Sequence, residues 1–276
     1  MARVKGGACP ADIRSMRIRL IAVFVCFSAA MTVATRAEAQ GNTNVGEFSV
    51  NFWSSDPTVV IQSGSITGAT GIVEPIDFVQ EFGIDKKSFP DFRFTVGRSH
   101  KFRFGYVPIK YDAEATITRT ITFRGQTFTV GAPATTDIKW DLWRFGYEWD
   151  FVSNDRGYFG VVGELKYNKM EASIESPLLS RTAATEQNAP VPTVGAAGRG
   201  YVHPMVSIGG EFTGLKITAG DVEATFTDFD VNGAVTFGRF VGVQGGYRAV
   251  TVDYTIDDDI GDVEFKGPYV GVVLKF

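Results

Sequence analysis

Cysteine is nearly absent from this chain, with two in 276 residues, and both, Cys9 and Cys26, fall in the first thirty. Whatever follows them has no disulfide framework and no thiol or Cys-metal chemistry. Histidine is as scarce. His100 and His203 are the whole supply, which leaves little for general-base or metal-ligand roles. The longest apolar run, Leu20 to Met31, has 12 residues, short of the roughly 20 that span a bilayer as a helix. Beyond residue 40 there is no helical stripe of apolar side chains. A basic tract is also missing, which excludes nucleic acid as a partner, because phosphate binding needs a concentrated cationic surface.

The apolar run has the flanks of an export signal: Arg17 and Arg19 before it and the small-x-small site Ala37-Glu38-Ala39 after it. Residues 1–39 are therefore expected to be a signal peptide cleaved after Ala39, with translation starting either at Met1 or at Met16. They hold six of the 27 basic and two of the 31 acidic residues. The mature part, 40–276, keeps 21 against 29, a net charge of −8.

What the mature part has in quantity is period two. Trp143, Phe145, Tyr147, Trp149 and Phe151 alternate with Arg144, Gly146, Glu148 and Asp150. After the turn Ser153-Asn154-Asp155-Arg156-Gly157 the pattern returns, with Phe159, Val161, Leu165 and Tyr167 opposite Gly160, Glu164, Lys166 and Asn168. Such runs recur to Phe276. They predict ten antiparallel strands near 45–53, 89–97, 101–112, 137–152, 157–172, 191–202, 205–217, 223–237, 241–254 and 263–276, eight or twelve being the alternatives. Tight connections at 97–101, 153–157, 203–204 and 238–240 alternate with longer polar stretches at 54–88, 113–136, 173–190, 218–222 and 257–262. Within the first of these, Ile76 to Ile84 fits a strand, a short helix or an inward-folded loop.

Short turns alternating with long loops are the signature of an outer-membrane barrel, with turns in the periplasm and loops outside. A soluble sandwich also alternates. Three features favour the membrane. From Trp140 to Phe151 the strand covers roughly 37 Å, or about 28 Å at 40° tilt, against a roughly 25 Å apolar band. Aromatics stand near strand ends, at Trp53, Trp140, Tyr158 and Phe240, where interfaces favour them. The third is the terminal strand, which ends on Phe276 with Leu274, Val272 and Val270 on the same face.

That terminus resembles the C-terminal assembly signal of outer-membrane barrels, apart from Tyr269, which falls on the other face. The mature chain as a whole is similar to small barrels of the OmpA and OmpW type, and Arg98-Ser99-His100-Lys101-Phe102-Arg103-Phe104-Gly105-Tyr106 resembles hairpins of their uncharacterised members. The resemblance implies an all-β antiparallel transmembrane barrel in a bacterial outer membrane. It also implies membrane lipid, lipopolysaccharide and the assembly machinery as partners, the last reading Phe276, Leu274 and Val272. No cofactor is implied.

One face of each strand, taken as the lumen, gives eight acids: Glu47, Asp91, Glu148, Asp150, Glu164, Glu211, Asp228 and Asp230. The bases are seven: Arg93, Arg103, Arg144, Lys166, Arg199, Arg248 and Lys275. So balanced an interior predicts crossed ion pairs filling the lumen, because an unpaired buried charge costs several kcal/mol. Arg144, Glu148 and Asp150 are expected beside Glu164 and Lys166 on the next strand, while Arg124 is expected to be a dispensable loop residue. Asp257 to Asp262 does not fit a calcium loop, since Gly261 is fifth and position twelve is Pro268. The reading is a non-enzymatic barrel serving as scaffold or interaction platform. A narrow solute channel and a lipid-modifying enzyme or protease are the alternatives.

Overall fold

A computed structural model describes residues 45–62, 75–219, 222–256 and 259–276. The expected signal peptide, 1–39, and Asp257 and Asp258 lie outside them. In chain order the elements are β1 (Gly46–Gln62), β2 (Ile76–Asp77), the helix α1 (Phe78–Phe82), β3 (Lys87–Gly97) and β4 (His100–Thr116). Then come β5 (Ile121–Phe123), β6 (Gln126–Phe128), β7 (Pro133–Asn154), β8 (Gly157–Ser176) and β9 (Arg181–His203). The last four are β10 (Val206–Ala219), β11 (Val222–Phe237), β12 (Val241–Ile256) and β13 (Asp259–Lys275).

Ten long strands, β1, β3, β4 and β7 to β13, pair antiparallel in sequence order, and β13 returns to β1. That seam runs from Glu47 opposite Lys275 to Gln62 opposite Ile260. The Phe276 carbonyl fastens its end, accepting the N–H groups of Val45 at 2.7 Å and Gly46 at 2.8 Å. The result is a closed antiparallel barrel of ten strands, the number and order that the alternation predicts.

The strands are longer than the alternation suggests, chiefly toward the loops. β1 continues to Gln62, β8 to Ser176, and β9 begins at Arg181. The stretches 54–62 and 173–190, expected as loop, are therefore largely sheet. The physical reason lies in the side chains. On β7, Trp143 to Phe151 place their apolar members outward and Arg144, Glu148 and Asp150 inward. From Leu142 back to Ala134 the assignment reverses: Ala134, Ile138, Trp140 and Leu142 are buried inside, while Asp137, Lys139 and Asp141 face out. β4 turns over between Phe104 and Val107 in the same way, and β13 between Tyr269 and Phe265. Near the turns the wall is oily outside and ionic inside. Near the loops it is polar outside and oily inside, as in a soluble β-barrel.

This inversion corrects the aromatic assignment. Trp53 and Trp140 are fully buried in the interior, and the Tyr158 ring lies inside beneath the Lys101 ammonium, 3.3 Å from the ring centroid. Only Phe240 of the four faces outward, at 65% exposure. The outward apolar face of β7 is Trp143 to Phe151, eight residue steps or about 27 Å of strand, roughly 21 Å along the axis at 40° tilt. Its loop-side limit is a stack of Tyr106 on Trp143, centroids 4.0 Å apart.

The segment 76–84 resolves into the pair β2 and α1. The Asp77 carboxylate caps the helix, accepting the N–H groups of Val79 and Gln80 at 3.0 Å each, and Gly83 ends it at φ 65°. Phe78 and Phe82 turn into the barrel mouth. The stretch 113–136, expected as one loop, holds a second insertion, the hairpin β5–β6. Its two-residue turn Arg124-Gly125 has φ of 48° and 72°, the left-handed pair that tight hairpins require. Phe123 and Phe128 are fully buried, Phe123 edge-on to Phe78 at 5.8 Å. Helix and hairpin together plug the loop end of the barrel.

Candidate functional site

The interior near the turns is built from alternate residues of the barrel strands, so its charges come from all ten strands and meet in the middle. Glycine makes room for them. A Cβ on Gly146 would stand 2.7 Å from Glu164 Cγ, and one on Gly160 would stand 2.5 Å from Asp150 Oδ1.

From Lys101 to Arg93 the pairs form one connected network, with Arg199–Glu47 as a separate pair. Lys101 on β4 donates to Glu148 Oε1 and lies the same 2.7 Å from Asp150 Oδ2. Arg103 reaches Glu148 at 3.1 Å and bonds Glu211 across the lumen on β10. Arg144 on β7 also bonds Glu211 and lies 3.0 Å from Glu164. Lys166, fully buried, donates to Asp228 and to Thr213 Oγ1, both at 2.7 Å. Arg248, also fully buried, holds Asp228 through two bonds of 3.1 and 3.0 Å and crosses to Asp91 on β3 at 3.2 Å. Arg93 ties Asp91 at 2.6 Å to Asp230 at 2.9 Å, and Arg199 on β9 grips Glu47 on β1 at 2.7 and 3.2 Å. Lys275 donates to Thr236 Oγ1 at 3.1 Å.

All fifteen charged residues read as lumenal point inward, with two differences from the expected pairing. Glu148 and Asp150 turn to Lys101 and Arg103 on β4 and not to β8, because the register sets Glu148 opposite Val162 and Asp150 opposite Gly160. Lys101, read as part of a turn, is the eighth base. The β3–β4 turn spans only residues 98 and 99, so Lys101 is the first inward residue of β4 and 5% exposed. Eight acids then face eight bases among the described residues.

Links between strands that are not neighbours, β4 to β10, β12 to β3 and β9 to β1, cross the lumen. A cavity of about 140 Å³ runs from the turn side into the ion-pair layer, lined by Glu47, Lys101, Arg199 and Lys275 and, deeper, by Arg144 and Glu211. On the loop side Trp53 begins the apolar core, its indole N–H donating to Gly267 O at 3.1 Å and its ring facing the Arg248 guanidinium 5.2 Å away. Above it the plug is tied by polar contacts. Arg119 bonds Glu81 at 2.5 Å, and Arg124 bonds Thr185 at 2.5 Å and lies 3.6 Å from Asp259. Arg124 thus reaches from the plug hairpin to β9 and β13.

The two histidines are at the turn end. His100 Nδ1 shares a 2.5 Å hydrogen bond with Tyr147 OH on the outer surface, and His203 Nδ1 accepts the Met205 N–H at 3.2 Å. Phe276, Leu274 and Val272 face outward at about half exposure, the Phe276 ring 6.2 Å from Phe94.

No protein-family model matches the sequence, and no curated protein matches it. Solved structures do. The outer-membrane protease OmpT of Escherichia coli superposes with a TM-score of 0.56 at 9% identity, over 88% of this chain and 99% of that one. Ail, the attachment invasion locus protein of Yersinia pestis, gives 0.37 at 10% identity, over 84% and 99%. The translocator domain of the autotransporter NalP from Neisseria meningitidis gives 0.38 at 9%, over 95% and 98%. At such identities the likeness to OmpT is one of architecture. The chain has the fold of the outer-membrane β-barrels.

Proposed function

We propose that this chain is a sealed, non-enzymatic barrel of the outer membrane that holds the long sheet β7–β8–β9 at the cell surface as an interaction platform. The observation that carries the proposal is the double closure, an ion-pair layer in one half of the barrel and an apolar plug in the other. A barrel devoted to solute flow would leave both of these open. Both histidines lie at the turn end, away from outer-leaflet and external substrates, which supports a non-catalytic role. In this reading residues 1–39 direct export, the turns face the periplasm, and the outward belt sits among membrane lipid and lipopolysaccharide.

The orientation has a clean test, because residues 40–276 contain no cysteine. Glu175→Cys, exposed near the loop end of β8, should react with a membrane-impermeant maleimide on intact cells. Asp155→Cys, in the β7–β8 turn, should react only after lysis. Labelling of Asp155→Cys on intact cells, with none of Glu175→Cys, rejects the orientation and with it the platform.

We also propose that the assembly machinery reads the outward face of Phe276, Leu274 and Val272. Phe276→Ala keeps the backbone bonds that fasten the seam and removes only an outward ring, so its direct effect on stability is small. The variant should nevertheless reach the membrane at several-fold lower steady-state level. Unchanged levels on a heat-shift gel rule the role out.

A further inference from the structure

The turn end is cationic. Three of its four turns carry an arginine, Arg98 between β3 and β4, Arg156 between β7 and β8, and Arg239 between β11 and β12. All three are exposed, and Asp155 is the only acid in these turns. Arg98 and Arg156 have no carboxylate within 4.0 Å among the described residues. The loop-side rim differs. There three outward lysines lie against carboxylates of the protein itself: Lys169 with Glu171 at 2.8 Å, Lys216 with Glu223 at 2.7 Å, Lys266 with Glu264 at 2.6 Å.

Each arginine lies in a turn within four residues of an outward aromatic that ends the apolar band: Phe102 by Arg98, Phe159 by Arg156, Phe237 and Phe240 by Arg239. A side chain there reaches the layer of lipid phosphates, and a guanidinium matches a phosphate oxygen pair with two parallel N–H donors. We propose that these turns form a ring that binds anionic phospholipid headgroups of the inner leaflet, phosphatidylglycerol in preference to zwitterionic phosphatidylethanolamine. The ring rests on the orientation argued above, with turns in the periplasm, and is independent of whether the lumen conducts. Loop-side lysines, already neutralised internally, have less to offer a headgroup.

The test is native mass spectrometry of the folded, detergent-solubilised barrel offered equal amounts of the two lipids. An arginine at an anionic membrane surface contributes roughly a factor of five. The triple variant Arg98→Gln, Arg156→Gln, Arg239→Gln should therefore lose between about tenfold and a hundredfold in the ratio of phosphatidylglycerol to phosphatidylethanolamine retained. Lys169→Gln, Lys216→Gln, Lys266→Gln should keep the ratio. If the triple arginine variant does not fold by heat-shift gel, Arg98→Gln and Arg156→Gln alone should each lower the ratio about fivefold. An unchanged ratio overturns the proposal, as does an equal fall in the lysine variant. So does loss of co-sedimentation with peptidoglycan sacculi at an unchanged lipid ratio, which would assign the arginines to the cell wall. The orientation is read separately by the cysteine labels, so its failure is distinguishable from failure of the lipid contact.

Discussion

Arg144→Ala is expected to lower the stability of the barrel by about 3–5 kcal/mol, the cost of leaving buried carboxylates without their partner. Arg144 joins Glu164 on the adjacent strand to Glu211 across the lumen, and its side chain is 6% exposed. Without it Glu164 keeps only Lys166 at 3.4 Å and Arg103 at 3.8 Å. Lys139→Ala is a suitable control, since that outward lysine, 48% exposed, meets only Glu171 at 3.7 Å, a surface pair worth at most about 1 kcal/mol. The difference should show as a lower urea midpoint for refolding into lipid vesicles at unchanged slope. Equal midpoints for the two variants would mean that the charges are solvated and do not hold the lumen.

The second large effect is expected in the plug. Ile121, Phe123 and Phe128 are the buried side chains of β5–β6 among the described residues, so Phe123→Ala removes one of the two large aromatic anchors of the hairpin. Truncating a buried phenylalanine costs about 3–5 kcal/mol. The cost falls on a short two-stranded element outside the main ladder, which is unstable without its hydrophobic face. The hairpin should then open while the ten-stranded wall persists. Trypsin reports this directly, since it cuts after Arg119 and Arg124. Cleavage there should speed up at least tenfold in Phe123→Ala, following the population of the open form. Equal cleavage rates in the variant and the unaltered protein would show that the hairpin is not held by its aromatics.

Much of this was legible in the sequence because alternation is a geometric fact. Successive residues of a strand point to opposite sides, so Trp143 to Phe151 and their charged neighbours had to separate, and the turn-former clusters had to mark tight hairpins. Parity also contained what was misassigned. Trp140 is an odd number of positions from Trp143, hence on the face of Arg144, and its place inside follows from counting. What alternation does not state is which face meets which medium. The choice changes along a strand where the surroundings change from lipid to water, so the same period two that marks a lumen of charges near the turns marks an apolar core near the loops. The polar stretches 54–62 and 173–190 read as loops because their outward residues are those of a soluble sheet. Lys101 escapes the pattern because the β3–β4 turn is only two residues long and a cluster of turn formers does not mark where the strand resumes. The plug had a faint signal, Phe123 and Phe128 flanking Arg124-Gly125 in a stretch otherwise polar, too short for a period to register.

The ion-pair layer and the apolar plug lie in series, and as the proposed seals they have a consequence that neither has alone. Opening the plug still leaves the ion-pair layer, and breaking one ion pair still leaves the apolar core. Single-channel recording in planar bilayers of the unaltered protein, Phe123→Ala, Arg144→Ala and the double variant tests this most directly. A sealed barrel shows no steady conductance for the unaltered protein or for Phe123→Ala, and ion flow first in the double variant. Large, steady conductance from the unaltered protein would contradict it.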